Sequence, residues 1–134
     1  MREVFQKKKK RVERILMLLK RAYPKARMEL RYKNNTELLF SVILSAQCTD
    51  KKVNEVTEKL FKKYRTLEDY VRAKPKEFEK DIHSTGFYRA KTKNILAAAK
   101  LLKERFHGGL PKTMPEMLEI PGVARKTANI VLGN

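Results

Sequence analysis

Apolar side chains recur three or four residues apart along most of this chain, the spacing of helices that bury one face. Val12, Ile15, Leu16 and Leu19 predict an amphipathic helix over roughly residues 3–22 that stops near Tyr23-Pro24, because proline cannot continue a helix. A polar, irregular connection leads to Asn34-Asn35, a good N-cap pair. The next helix, from Thr36 to about Ala46, carries Leu38, Leu39, Phe40, Val42, Ile43 and Leu44. It is apolar on nearly every side and is expected at the centre of the core.

Thr49-Asp50 caps a third helix, with Val53, Val56, Leu60, Phe61 and Tyr64 as its stripe. Thr66-Leu-Glu-Asp69 has the form of a capping box, and Pro75 suits the first turn of a helix ending by His83. Gly86 interrupts the chain. A longer helix, from about Arg89 to Phe106, turns Ile95, Ala98, Ala99, Leu102 and Phe106 inward and ends on His107-Gly108-Gly109 in the manner of a glycine cap. Thr113-x-x-Glu116 caps a short helix, with a last helix from Arg125. No stretch alternates as a strand, so the expectation is a compact all-α array of about seven or eight helices.

Charge narrows the function. The chain has 134 residues and a net charge of +17, a field that favours polyanions, nucleic acid before an anionic membrane surface. No run approaches the length of a spanning helix and no secretory leader opens the chain. Residues 1–33 hold 13 basic and 3 acidic side chains. The block Lys7 to Arg11 reads as a basic arm on DNA, a localisation tag or a solvated helix face. Cys48 is the only cysteine, which excludes an internal disulfide and a four-cysteine metal site and points to a reducing compartment, the cytoplasm. His83 and His107 have no acidic cluster in sequence around them and read as surface or helix-end residues.

The candidate chemistry lies near the end of the sequence. Pro121-Gly122 joins two helices by a tight reversal that favours a glycine with positive φ, and Arg125 and Lys126 open the helix that follows. Amides of such a turn and of a helix's first turn suit a phosphate oxygen. From the residues alone, an ordinary helical corner with two solvated basic side chains stays open beside this reading.

Leu118-Glu-Ile-Pro-Gly-Val-Ala-Arg-Lys-Thr-Ala128 resembles the helix–hairpin–helix of the endonuclease III family of DNA glycosylases. Leu38-Leu-Phe-Ser-Val-Ile-Leu-Ser-Ala-Gln-Cys-Thr-Asp50 is similar to that family's buried helix and following loop, and Ser84-Thr-Gly-Phe-Tyr-Arg-Ala-Lys-Thr-Lys-Asn94 to a third motif in the same order. The resemblance spans residues 36–134, with residues 1–35 fitting more loosely. It divides the chain into a basic helix and connection (1–34) and a helical barrel domain (35–134) with the hairpin at 113–134.

The resemblance implies roles. Lys126 matches the lysine that attacks the sugar C1′ of a damaged nucleotide and forms a Schiff base. The neutral amine this needs is favoured by nearby cations and the positive end of a helix. Gln47 matches a residue that fills the gap left by the extruded base, and Phe87 an apolar wedge beside the opposite strand. Ile120, Gly122, Val123, Ala124 and Arg125 fall where the family holds the DNA backbone. On the residues alone, Gln47 is equally a polar helix-end residue, Phe87 a core aromatic and Asp50 a structural cap. The implied partner is double-stranded DNA with damaged bases or abasic sites, and the implied activity is base-excision repair by a bifunctional glycosylase and abasic-site lyase. A lysine at 126 favours oxidised or reduced pyrimidines over the substrates of relatives that only remove a base.

Two departures stand out. The hairpin's last position, usually glycine in the family, is Ala124. If it needs positive φ or close approach to phosphate, alanine costs about 1 kcal/mol there. The family's catalytic aspartate and its four-cysteine 4Fe-4S loop are absent from these residues, so no cofactor is expected within the chain. The expected fold is therefore a partial barrel, truncated before the iron–sulfur region, with apolar faces left exposed and a further segment or second polypeptide completing it. The rival classes are a non-enzymatic basic DNA-binding module and a basic RNA-associated protein.

Overall fold

A computed structural model describes residues 2–22 and 29–134. Eight helices and one 3-10 turn lie among the described residues, and none of these residues forms a strand. Helix α1 is Arg2–Ala22, α2 Asn35–Leu44, α3 Asp50–Lys63, α4 Leu67–Val71, α5 Pro75–Ile82, α6 Tyr88–Arg105, α7 Met114–Met117 and α8 Arg125–Leu132, with the 3-10 turn His83–Thr85 before α6.

Helix α2 is the hub. Every residue from Leu38 to Leu44 is buried, and the helix packs against α3, α6 and α8. Asn34 starts it, its side chain accepting from the Glu37 amide at 2.9 Å. Leu38, Leu39, Phe40 and Leu44 are wholly removed from solvent, each worth roughly 1.5–3 kcal/mol of transfer free energy. Phe40 meets Tyr70 of α4 with ring centroids 4.7 Å apart, and Tyr70 stacks on Tyr64 at 5.2 Å, so one aromatic cluster ties α2, α4 and the end of α3.

Caps fall where the polar residues predict, with informative differences. Thr66 and Asp69 form a complete capping box on α4. On α3 the cap is Thr49 alone, which accepts from the Lys52 amide. Asp50, expected to share that role, is instead the first helical residue, and its carboxylate accepts from the Glu29 amide at 3.2 Å. On α7, the Thr113 hydroxyl donates to the Glu116 carboxylate at 2.8 Å rather than accepting from a backbone amide. Helix α6 ends with His107 itself left-handed (φ 52) ahead of Gly108 (φ 85), so the reversal is not glycine's alone.

The chain before α2 docks on α3 through Asn54, whose side chain accepts from the Arg31 amide and donates to the Glu29 carbonyl. In α1, Val4, Phe5, Val12, Ile15, Leu16 and Met17 are 48–71 % exposed. The predicted stop at Tyr23-Pro24 lies outside the described residues, as does the Leu19 side chain. No helix among the described residues is long and apolar enough to cross a membrane.

Candidate nucleic-acid interface

The hairpin between α7 and α8 is built by its own sequence. The Val123 amide donates to the Ile120 carbonyl at 3.1 Å, closing a four-residue turn with proline second and a positive-φ glycine third, the type II pattern. Gly122 has φ +81, and a Cβ there would stand 2.8 Å from the Asn94 Cβ of α6. Backbone conformation and close approach therefore both require glycine. Ile120 and Val123, assigned to DNA contact by resemblance, place their side chains in the core (2 % and 8 % exposed) and anchor the hairpin instead. Any contact they make with a ligand would run through backbone.

Ala124 differs from expectation in a useful way. It is the N-cap of α8 with φ −93 and ψ 172, ordinary extended backbone, so alanine carries no left-handed cost and the anticipated penalty of about 1 kcal/mol does not arise. Alanine also has no side chain with which to cap. Among the described residues the amides of Arg125, Lys126 and Thr127 find no acceptor, leaving the positive end of α8 open to an external anion. Arg125 and Lys126 are both exposed at this end.

Gln47 and Phe87 stand on loops held in left-handed backbone, with φ 52 and φ 44. For non-glycine residues this costs about 1–2 kcal/mol each, strain of the kind found at binding and catalytic loops. Gln47 is exposed in the turn after α2. Phe87 follows Gly86 (φ 77) and is 65 % exposed, so it is not a core aromatic. The two side chains share a concavity of about 260 Å³ with Asn94 and Gly122, lined further by Ile43, Ala46, Ala90 and Lys91. Sequence motifs 35 to 75 residues apart thus meet on one face.

Sequence reasoning passed over Lys91. It is 5 % exposed, and its ammonium donates to the carbonyls of Leu44 and Thr85, each at 2.8 Å. Burial pushes its pKa down, opposed by Cys48 nearby. A buried lysine in an amphipathic helix leaves no periodic signal that distinguishes it from a solvated one. His83 is exposed and lies against Tyr88, with ring centroids 4.5 Å apart. Cys48 is half-buried and free. The single cysteine of the sequence supplies one thiolate of the four that a thiolate-held iron–sulfur cluster uses.

Residues 40–132 match the model of a family described as the HhH-GPD superfamily base excision DNA repair protein. Similar proteins include the Endonuclease III of Synechocystis sp., 48 % identical over 127 residues, and that of Bacillus subtilis, 44 % identical over 123. These alignments cover 95 % and 92 % of the chain but only 58 % and 56 % of the relatives, so the chain spans somewhat more than half their length. Among solved structures, a non-covalent Endonuclease III–DNA complex superposes with a TM-score of 0.86 at 43 % identity, covering 94 % of the chain and 59 % of that protein. A thermostable thymine-DNA glycosylase shares the fold, with a TM-score of 0.81 at 21 % identity, over 93 % of this chain and 59 % of its own.

Proposed function

We propose, for a chain that belongs to the HhH-GPD superfamily of base excision DNA repair proteins, that it engages duplex DNA at damaged or abasic nucleotides and attacks the sugar through Lys126. The observation that carries this reading is the convergence of Gln47, Phe87 and the hairpin glycine on one concave face, in a chain whose net charge of +17 draws it to phosphate.

The hairpin and the open amides of α8 hold a backbone phosphate. Phe87 enters the stack from one side and Gln47 occupies the space of the displaced base, offsetting the unstacking that flipping requires. The neutral amine of Lys126 attacks C1′. The C1′–N bond breaks and the base leaves with the bonding pair, taking a proton from water or a protein acid. The nitrogen then sheds a proton and the ring oxygen takes one up as its bond to C1′ breaks, which gives the Schiff base; a base then abstracts a C2′ proton and the 3′ phosphate leaves with the C3′–O bonding pair. An oxidised pyrimidine is the substrate class this reading favours, and the cytoplasm, beside the nucleoid in a prokaryote, is the compartment.

Borohydride trapping on a duplex with one abasic site tests it directly. A covalent protein–DNA adduct with the unaltered chain, absent with Lys126→Ala, is the expected result. Retarded DNA migration without any adduct would instead leave a phosphate-gripping module and overturn the enzymatic reading for this chain.

A further inference from the structure

The loops that carry Gln47 and Phe87 share one buried side chain. Leu44 is the last residue of α2, three positions before Gln47, and its carbonyl is one of the acceptors a helix C-terminus leaves without an amide partner. Thr85 lies two positions before Phe87. The carbonyls of both accept from the Lys91 ammonium at 2.8 Å, while the Lys91 backbone amide donates to the Phe87 carbonyl at 3.0 Å. One residue on the first turn of α6 therefore holds the base of both left-handed loops. The Thr85 hydroxyl also donates to the Ile82 carbonyl at 2.8 Å, so the Thr85 end of the link is itself fixed to the last residue of α5.

A clamp of this kind has a physical rationale. Gln47 and Phe87 sit in backbone that relaxes unless the surroundings hold it. Burying a lysine ammonium is costly unless its donors are satisfied, and a cation is favoured at the negative end of α2. Simple stability would be served as well by an apolar residue at position 91 and a conventional C-cap. What the lysine adds is a fixed separation between two loops that belong to different helices.

We propose that Lys91 is the positioning residue for the pair that enters DNA: by tying the Leu44 and Thr85 carbonyls together, it holds Gln47 and Phe87 at the spacing that recognises a missing or extruded base. This inference rests on the reading above, in which Gln47 and Phe87 penetrate the duplex. Lys91 lies at the floor of the same concavity, but it is 5 % exposed and its ammonium is engaged by the two carbonyls, so its role runs through the two loops rather than through a bond to phosphate.

The test compares two affinities of the same chain, for a duplex with one tetrahydrofuran abasic analogue and for the intact duplex, by fluorescence anisotropy at fixed salt. Lys91→Met keeps the stem and removes the donors. It is expected to reduce the abasic-to-intact preference by about tenfold or more, as misplaced recognition groups do. Affinity for the intact duplex, which reports the hairpin's phosphate grip, should stay within about twofold. Lys91→Arg, which restores two donors, should recover most of the preference. A preference that survives Lys91→Met overturns the proposal, and so does an equal loss of both affinities, the mark of a purely structural role. If circular dichroism shows Lys91→Met unfolded, Lys91→Gln, which retains one donor group, is judged by the same ratio. A wild-type chain with no preference for the abasic duplex would instead sink the underlying reading of Gln47 and Phe87, and the clamp with it.

Discussion

Gly122→Ala is the substitution for which the structure fixes both a cause and a size. Two penalties act together. The position has φ +81, where an L side chain costs about 1–2 kcal/mol. The new methyl would also lie 2.8 Å from the Asn94 Cβ and 3.1 Å from its Cγ and Nδ2. The first of these is stem rather than a flexible tip, so α6 or the hairpin must shift, an overpacking cost of about 1–3 kcal/mol. The sum, with some relaxation, is about 2–4 kcal/mol, and for a chain of this size each kcal/mol lowers Tm by about 3–4 °C. Thermal melts followed at 222 nm should therefore show Tm about 6–16 °C lower than the parent. The two causes separate in a double-mutant cycle. In an Asn94→Gly background the clash is gone and only the left-handed cost remains, so Gly122→Ala should cost about 1–2 kcal/mol less there. A total loss below about 1 kcal/mol, or an equal loss in both backgrounds, would refute this account of the hairpin.

Two further outcomes follow from side chains at the surface. Phe87 is 65 % exposed, so Phe87→Ala should change stability by no more than about 0.5 kcal/mol while reducing abasic-site preference in the anisotropy assay; a large fall in Tm would return Phe87 to the core. The Asp69 carboxylate accepts from the amides of Thr66 and Arg65, which hold its pKa below the usual range, and ion pairs to Lys103, Lys63 and Lys52 do the same for Glu68, Glu77 and Glu55. Groups with a depressed folded pKa contribute stability that is complete above the unfolded value and is lost as pH falls through the folded one. Tm should accordingly be level near neutrality and fall below about pH 4, with a shallower acid-side fall in Asp69→Asn; identical pH profiles for the two proteins would count against the capping box.

Much of the fold is legible in the chain because it rests on local rules. The all-helical class, the buried α2, the Thr66–Asp69 box and the proline at the start of α5 follow from 3.6-residue periodicity and from caps that act within four residues. The hairpin and the positive φ that favours glycine at 122 are equally local, as is the basic charge that favours a polyanion. These features require no knowledge of what packs against what.

The remainder depended on contacts between residues far apart in sequence. Whether Phe87 faced the core or solvent hung on one strained dihedral that propensity does not report. Ile120 and Val123 look like interface residues in the motif, yet their side chains are buried in the core. Ala124 raised an expected penalty that disappears once its φ is negative. Lys91 reads in sequence as one more solvated lysine among many. Only the packing of α6 against both α2 and the 3-10 turn puts two carbonyls within its reach, and burial of a charge is decided by that tertiary geometry rather than by the residue.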